Sequence, residues 1–179
     1  YFHININCSS FLPSWRKNIN YKKSVSANKK LGGGVLLELS HEIDYLIWLF
    51  GVPKIIRSTS LKISNLKINT DDFFNLIAKK GKTIINLSMN YFSLHKKREI
   101  VVDSKDFSLH GDLRNNSIIL YKGNRIIKKK LKKKLLEQSI EHQHLSLLKN
   151  NFKNICSLKE GQKVIEFIQK IKKNYVKNK

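Results

Sequence analysis

The chain has 179 residues, 41% of them hydrophobic, and a formal net charge of +22. That length and apolar content fit one domain with its own core and exclude wholesale disorder, and no run of roughly 18 apolar residues occurs, which excludes a membrane-spanning helix. So high a charge ordinarily raises nucleic acid as a partner, but the excess is almost all lysine spread along the whole chain, the pattern of a solvated surface.

Residues 2–8 (FHININC) alternate with period two and predict a strand. Residues 12–31 (LPSWRKNINYKKSVSANKKL) keep no period and predict a long loop, whose aromatic residues argue that it packs against something. Gly32, Gly33 and Gly34 lead into a strongly apolar helix over 34–50, closed by Gly51 and Pro53. Residues 55–64 alternate as a strand, and 73–79 with 82–92 predict a hairpin around Lys80 and Gly81. In its second arm Ile85, Leu87, Met89 and Tyr91 share one face, with Asn86, Ser88 and Asn90 opposite. Strands at 98–103, 106–110 and 117–121 follow, with His110, Gly111 and Asp112 read as a turn, and Gly123-Asn124 suits a tight turn into 125–129. The last third is helical: Leu145, Leu148, Phe152 and Ile155 form one stripe, Ser157 and Glu160 a capping box, and Val164, Ile168 and Ile171 the stripe of a final helix. This order predicts a single α+β domain over residues 1–179, an open, predominantly antiparallel (mixed) sheet with helices packed on one face.

The chemistry concentrates in LGGGVLLELSHEIDYLIWLFG, residues 31–51. Glu38, His41, Glu42 and Tyr45 are three or four apart and would share one helical face. The other positions are nearly all large and apolar, so the helix is expected to be buried, and ionisable groups there need a partner or a cavity. An imidazole flanked by carboxylates can act as a general acid or base. On spacing alone, a satisfied core histidine that pins the helix to the sheet is the commoner arrangement. The triple glycine would let backbone approach a ligand closely, or form a mobile entry to the helix; neither a dinucleotide fingerprint nor a P-loop pattern occurs.

Cys8 and Cys156 are far apart and read as reduced thiols of a cytoplasmic protein, a single disulfide being the other arrangement open to them. His142 and His144 would point to different helical faces, so no metal site is expected. KKKLKKK at 128–134 reads as a solvated strand end and connector, and His95 to Arg98 as a strand connection. Tyr1 opens the sequence with no basic leader, and the only methionine is Met89, so the sequence is expected to begin partway into a longer protein.

GGGVLLELSHEIDYLIWLFG resembles the helix of the Gfo/Idh/MocA oxidoreductases, whose pattern is a glycine cluster, an acidic residue, a histidine, then Ile-Asp and an apolar turn. LPSWRKNINYKKSVSANKKLGGG is similar to the loop of a subgroup associated with surface-sugar biosynthesis. TDDFFNLIAKKGKTIINLSMNYF, KREIVVDSKDFSLHGD, NNSIILYKG and NICSLKEGQKVIEFIQKIKKN match later family segments in order. The resemblance covers essentially the whole chain, but only the family's C-terminal half.

It implies a substrate-binding and oligomerising domain that works beside a Rossmann domain holding NAD or NADP, with hydride passing between the nicotinamide and a sugar carbon. By the same resemblance His41 is the catalytic-site histidine, moving a proton at the sugar hydroxyl. Glu38 stands where the family has aspartate, one methylene longer and three rather than four residues before the histidine. Asp44 fills the Ile-Asp position and would orient His41 or support packing. Trp15, Arg16 and Tyr21 would line the sugar pocket, with Arg16 able to pair with a carboxylate or phosphate. Tyr91 is a further substrate-side candidate, with plain packing as its alternative.

The family's catalytic lysine belongs to a Glu-Lys-Pro segment, whereas the prolines here are Pro13 and Pro53 and neither follows a lysine. The expectation is a domain without the Rossmann half, binding no cofactor and transferring no hydride alone. Its expected partners are a sugar or nucleotide sugar and further copies of itself, joined through an apolar and aromatic sheet face. Two rivals are a non-catalytic sugar-binding or assembly module of the same fold, and a basic nucleic-acid-binding domain, which would need its lysines gathered on one face.

Overall fold

The computed structural model describes residues 1–131 and 136–176. Eight strands form one sheet: β1 (His3–Phe11), β2 (Lys54–Leu61), β3 (Phe73–Lys80), β4 (Thr83–Asn90), β5 (Phe92–Asp103), β6 (Ser108–Asp112), β7 (Ser117–Lys122) and β8 (Arg125–Lys130). Their spatial order is β2-β3-β4-β1-β5-β6-β7-β8. β1 runs parallel to β4, and every other neighbouring pair is antiparallel. The mixed, mostly antiparallel sheet expected from the run of hairpins is therefore present. Two-residue turns begin at Gly81 (φ 59°) and Gly123 (φ 54°), in the left-handed region that tight hairpin turns require.

Period-two alternation sends Ile4, Ile6 and Cys8 of β1, Phe74, Leu76 and Ala78 of β3, and Ile85, Leu87 and Met89 of β4 to one face. Four helices accompany the sheet: α1 (Val35–Glu38), α2 (Ser40–Phe50), α3 (Leu136–Leu148) and α4 (Leu158–Val176). Val35, Leu36, Ile43, Leu46 and Ile47 of α1 and α2, and Val164, Phe167, Ile168 and Ile171 of α4, complete the core on that face. Ser157 caps α4: its Oγ accepts from the Glu160 amide at 3.3 Å, and Glu160 Oε2 accepts from the Ser157 amide at 2.7 Å.

Several expectations are corrected. The single helix over 34–50 is two helices, broken at Leu39 (φ −99°, ψ 23°), whose side chain drops into the core at the break. α2 is not buried all round, since Trp48 is 73% exposed and Leu49 50%. The stripe Leu145, Leu148, Phe152, Ile155 does not form, because Asn150 turns left-handed (φ 52°) after α3 and leaves Leu148 and Phe152 exposed. His95 to Arg98 lie inside β5 rather than at a connection. His110 to Asp112 end β6, and the turn comes after them.

The sheet face away from the helices is mixed rather than apolar and aromatic throughout, polar residues lying among Phe73, Ile77, Ile84, Ile119 and Tyr121. Its central rows run Ile77, Asn86, Asn5, Val101, His110 and Asn75, Ser88, Asn7, Glu99, Asp112. Exposed lysines stand at both ends of the sheet, Lys54 on β2 and Lys128 to Lys130 on β8, so the charge is not gathered in one place. The remainder of the KKKLKKK run, residues 132–134, lies outside the described residues. Among the described residues no helix is long and apolar enough to cross a membrane.

Candidate functional site

The expected loop over 12–31 is ordered as four single 3-10 turns. It is tied to the sheet where the Leu12 amide donates to the Tyr91 carbonyl at 2.8 Å and where Trp15 Nε1 donates to Ser10 Oγ at 2.9 Å. The Trp15 ring meets the Tyr91 ring edge-on, with centroids 5.3 Å apart. Trp15, Arg16 and Tyr21 stand together with Leu12, Pro13 and Ser26 around a hollow of about 270 Å³, counting the solvent at its mouth. His41, Glu38, Asp44 and Tyr91 are not in its wall.

The triple glycine serves packing of the chain on itself. A Cβ at Gly33 would run into the backbone carbonyls of Val25 and Ser26, and at Gly34 (φ 119°) into the Asp71 carboxylate. Asp71 also accepts from the Leu36 amide at 3.3 Å, capping α1 from a position 35 residues away.

The break at Leu39 separates residues that one continuous helix would have grouped. Glu38 turns to the loop, where its Oε2 accepts from Ser26 Oγ at 2.8 Å. Its charge, with that of Asp71, bears on Tyr91, whose hydroxyl is buried without a hydrogen-bond partner and whose pKa is raised, first by burial. Asp44 lies nearer the last third of the chain, where its charge bears on the Cys156 thiol.

His41 and Glu42 form the other group. Glu42 is fully buried, and its Oε1 accepts from Arg98 Nε at 2.6 Å and lies 3.1 Å from His41 Nε2. Burial alone would raise the Glu42 carboxyl. His41, Arg98 and, to a smaller extent, Tyr45 outweigh it and hold the pKa below the ordinary value, so the group is a carboxylate. Its Oε2 and the neighbouring Tyr45 hydroxyl are both buried without completing a hydrogen bond. The imidazole of His41 is 48% exposed, so it presents an edge to solvent while the Glu42 carboxylate holds it from beneath.

Cys8 faces the same carboxylate from β1. Burial, then the Glu42 charge, pushes its thiol up to about 12. Cys8 and Cys156 are both free, the first buried and the second exposed. A potential ligand atom from each of Cys8, His41 and Glu42 lies within 4.8 Å of the other two. Sequence spacing grouped His41 with Glu42 but missed Cys8 and Arg98, because β1, α2 and β5 converge only in the fold; the β1–β5 register sets Arg98 directly across from Cys8. Cys8, which faces Glu42, and Ser10, which accepts from Trp15, are two residues apart on β1, so the His41 group and the Trp15 loop are anchored to the same strand.

Solved structures of similar fold include a UDP-N-acetylglucosamine 3-dehydrogenase from Acidithiobacillus ferrooxidans (TM-score 0.71, 13% identity, 95% of this chain and 52% of that one). An aldose-aldose oxidoreductase from Caulobacter crescentus complexed with glycerol matches at TM-score 0.77 and 14% identity, over 99% of this chain and 54% of that one. An NAD binding oxidoreductase from Klebsiella pneumoniae matches at TM-score 0.58 and 13% identity, over 71% and 38%. The chain thus spans about half the length of the first two. No curated protein sequence matches it. The family model described as "Oxidoreductase family, C-terminal alpha/beta domain" matches residues 1–177, and the chain belongs to that family, Gfo/Idh/MocA.

Proposed function

We propose that this domain forms the sugar side of an NAD(P)-dependent oxidoreductase acting on a CH–OH group of a sugar or nucleotide sugar, with His41 moving the hydroxyl proton. The observation that carries the reading is the mounting of His41, a half-exposed imidazole anchored to a fully buried carboxylate that Arg98 holds ionised. With Glu42 accepting at Nε2, Nδ1 is left with the lone pair for the substrate proton, and the carboxylate stabilises the imidazolium that results. Trp15, Arg16 and Tyr21 offer the sugar an aromatic wall and a guanidinium able to fork onto a carboxylate or phosphate. Two structures of the same fold are named for sugar or nucleotide-sugar oxidation, and a third for binding NAD.

Gly33 and Gly34 leave no room for a dinucleotide's backbone approach, because the space beside them is filled by Val25, Ser26 and Asp71. The cofactor is assigned to a partner domain, and this chain's part is to bind the sugar and handle the proton. Self-association through the open sheet face belongs to the same reading. Asn7 Oδ1 is buried there without a partner, and Ile77 and Ile84 are partly exposed.

The test is sugar-dependent NAD(P)H turnover by the protein together with its cofactor-binding domain. His41→Ala should lower kcat by about a hundredfold with little change in sugar affinity. Near-normal turnover in that variant removes the proton-transfer role. Saturable sugar binding without any turnover in the parent protein would return the non-catalytic module.

A further inference from the structure

We propose that Cys8, His41 and Glu42 bind a thiophilic divalent cation, zinc being the natural occupant. The three side chains offer a sulfur, a nitrogen and an oxygen, each within 4.8 Å of the other two. Zinc holds such ligands at about 2.0–2.3 Å, which puts them about 3.3–3.8 Å from one another, so closing the site takes side-chain rotation of about 1 Å.

The second observation is independent of that spacing. Glu42 has no exposure to solvent, yet its Oε2 accepts no hydrogen bond within normal distance, the Tyr45 hydroxyl and the Cys8 thiol lying close to the carboxylate without closing one. A buried carboxylate oxygen left unpaired is costly, and a bound cation satisfies it. Arg98 does not compete for this atom, since its Nε is committed to Oε1 at 2.6 Å. There it does what an outer-shell partner does at a metal centre, fixing the plane of the ligating carboxylate. The charge balance also works. Binding M²⁺ releases the Cys8 proton, Cys–SH + M²⁺ → Cys–S–M⁺ + H⁺, so thiolate and carboxylate together offset the metal while Arg98 keeps its own charge.

Three protein ligands leave a fourth position open to water or an anion, on the side where His41 is 48% exposed. Occupancy would also engage the His41 imidazole that is proposed to move the substrate proton, making the metal an off-switch for that step. That consequence rests on the hydride-transfer reading; the binding itself does not.

Cobalt(II) titrated into the purified, metal-stripped protein gives the readout, because a thiolate ligand produces a charge-transfer absorption that needs no enzyme activity. The expected result is saturation at one equivalent, displacement of the band by zinc, retention in Cys156→Ser, and loss in Cys8→Ser. His41→Gln, at an exposed ring that folding does not need, should weaken cobalt binding at least tenfold. The proposal is overturned if the parent protein shows no saturable band. It is equally overturned if the band follows Cys156 rather than Cys8, or if His41→Gln binds as tightly as the parent.

Discussion

Arg98 on β5 reaches Glu42 on α2 at 2.6 Å, joining the middle of the sheet to the helix above it through a carboxylate with no solvent exposure. The pair fixes the height and rotation of α2 over the sheet, and with them the position of His41.

Removing one member should therefore cost more than its share of packing. Arg98→Met leaves Glu42 buried with His41 as its remaining partner. The expected loss is about 2–3 kcal/mol, less than for a sealed pair because Arg98 is 39% exposed. The double variant Glu42→Leu/Arg98→Met should recover part of it, since neither charge then remains. Urea midpoints decide the matter, and an unchanged midpoint for Arg98→Met would mean that the pair holds nothing.

Asp72 gives a pH dependence of definite sign. Burial would raise its carboxyl, but Ser64, the Ile63 amide and Lys62 donate to it and bring the pKa below the ordinary value. The folded state then binds fewer protons than the unfolded chain. Its contribution is fully present above the ordinary aspartate range and fades as pH falls through that range toward the folded pKa. Urea midpoints measured from pH 7 down to pH 3 should decline, and Asp72→Asn should start lower and decline less.

Gly33→Ala should destabilise by about 1–3 kcal/mol, because the added methyl meets two backbone carbonyls that cannot swing aside. Loosening of the 12–31 loop should accompany the loss, seen as faster amide exchange at Ser26 and Ala27. Wild-type exchange and stability in this variant would show that the loop does not lean on the helix entry.

Ile77→Lys sets a charge in the middle of the open sheet face. Sedimentation equilibrium should show the parent associating and this variant monomeric, with the circular dichroism of the two superimposable. A parent that stays monomeric at all concentrations would remove the self-association reading.

The strands were readable in advance because their alternation is local: Ile4, Ile6 and Cys8 against Asn5 and Asn7 state which way each residue points. The capping box at Ser157 was readable for the same reason. The helix break at Leu39 was not, since nothing in VLLELSHEI but the tertiary pull on Leu39 interrupts a helical period. The loop's hollow around Trp15 was suggested by composition. The Cys8–Glu42–Arg98 contact, by contrast, depends on a strand register between residues some 90 positions apart, which spacing along one segment cannot reveal.

β1 lies between β4 and β5, two strands that follow each other directly in the chain and would otherwise close as a simple hairpin. β1 is thus made before either of the strands it lies between. At ribosomal speeds its partners emerge roughly 4–20 s after it does, and throughout that interval an apolar ribbon has nothing to pair with. Until it is inserted, β2-β3-β4 and β5-β6-β7-β8 are two separate leaves, so the sheet becomes one cooperative unit only when β1 joins them.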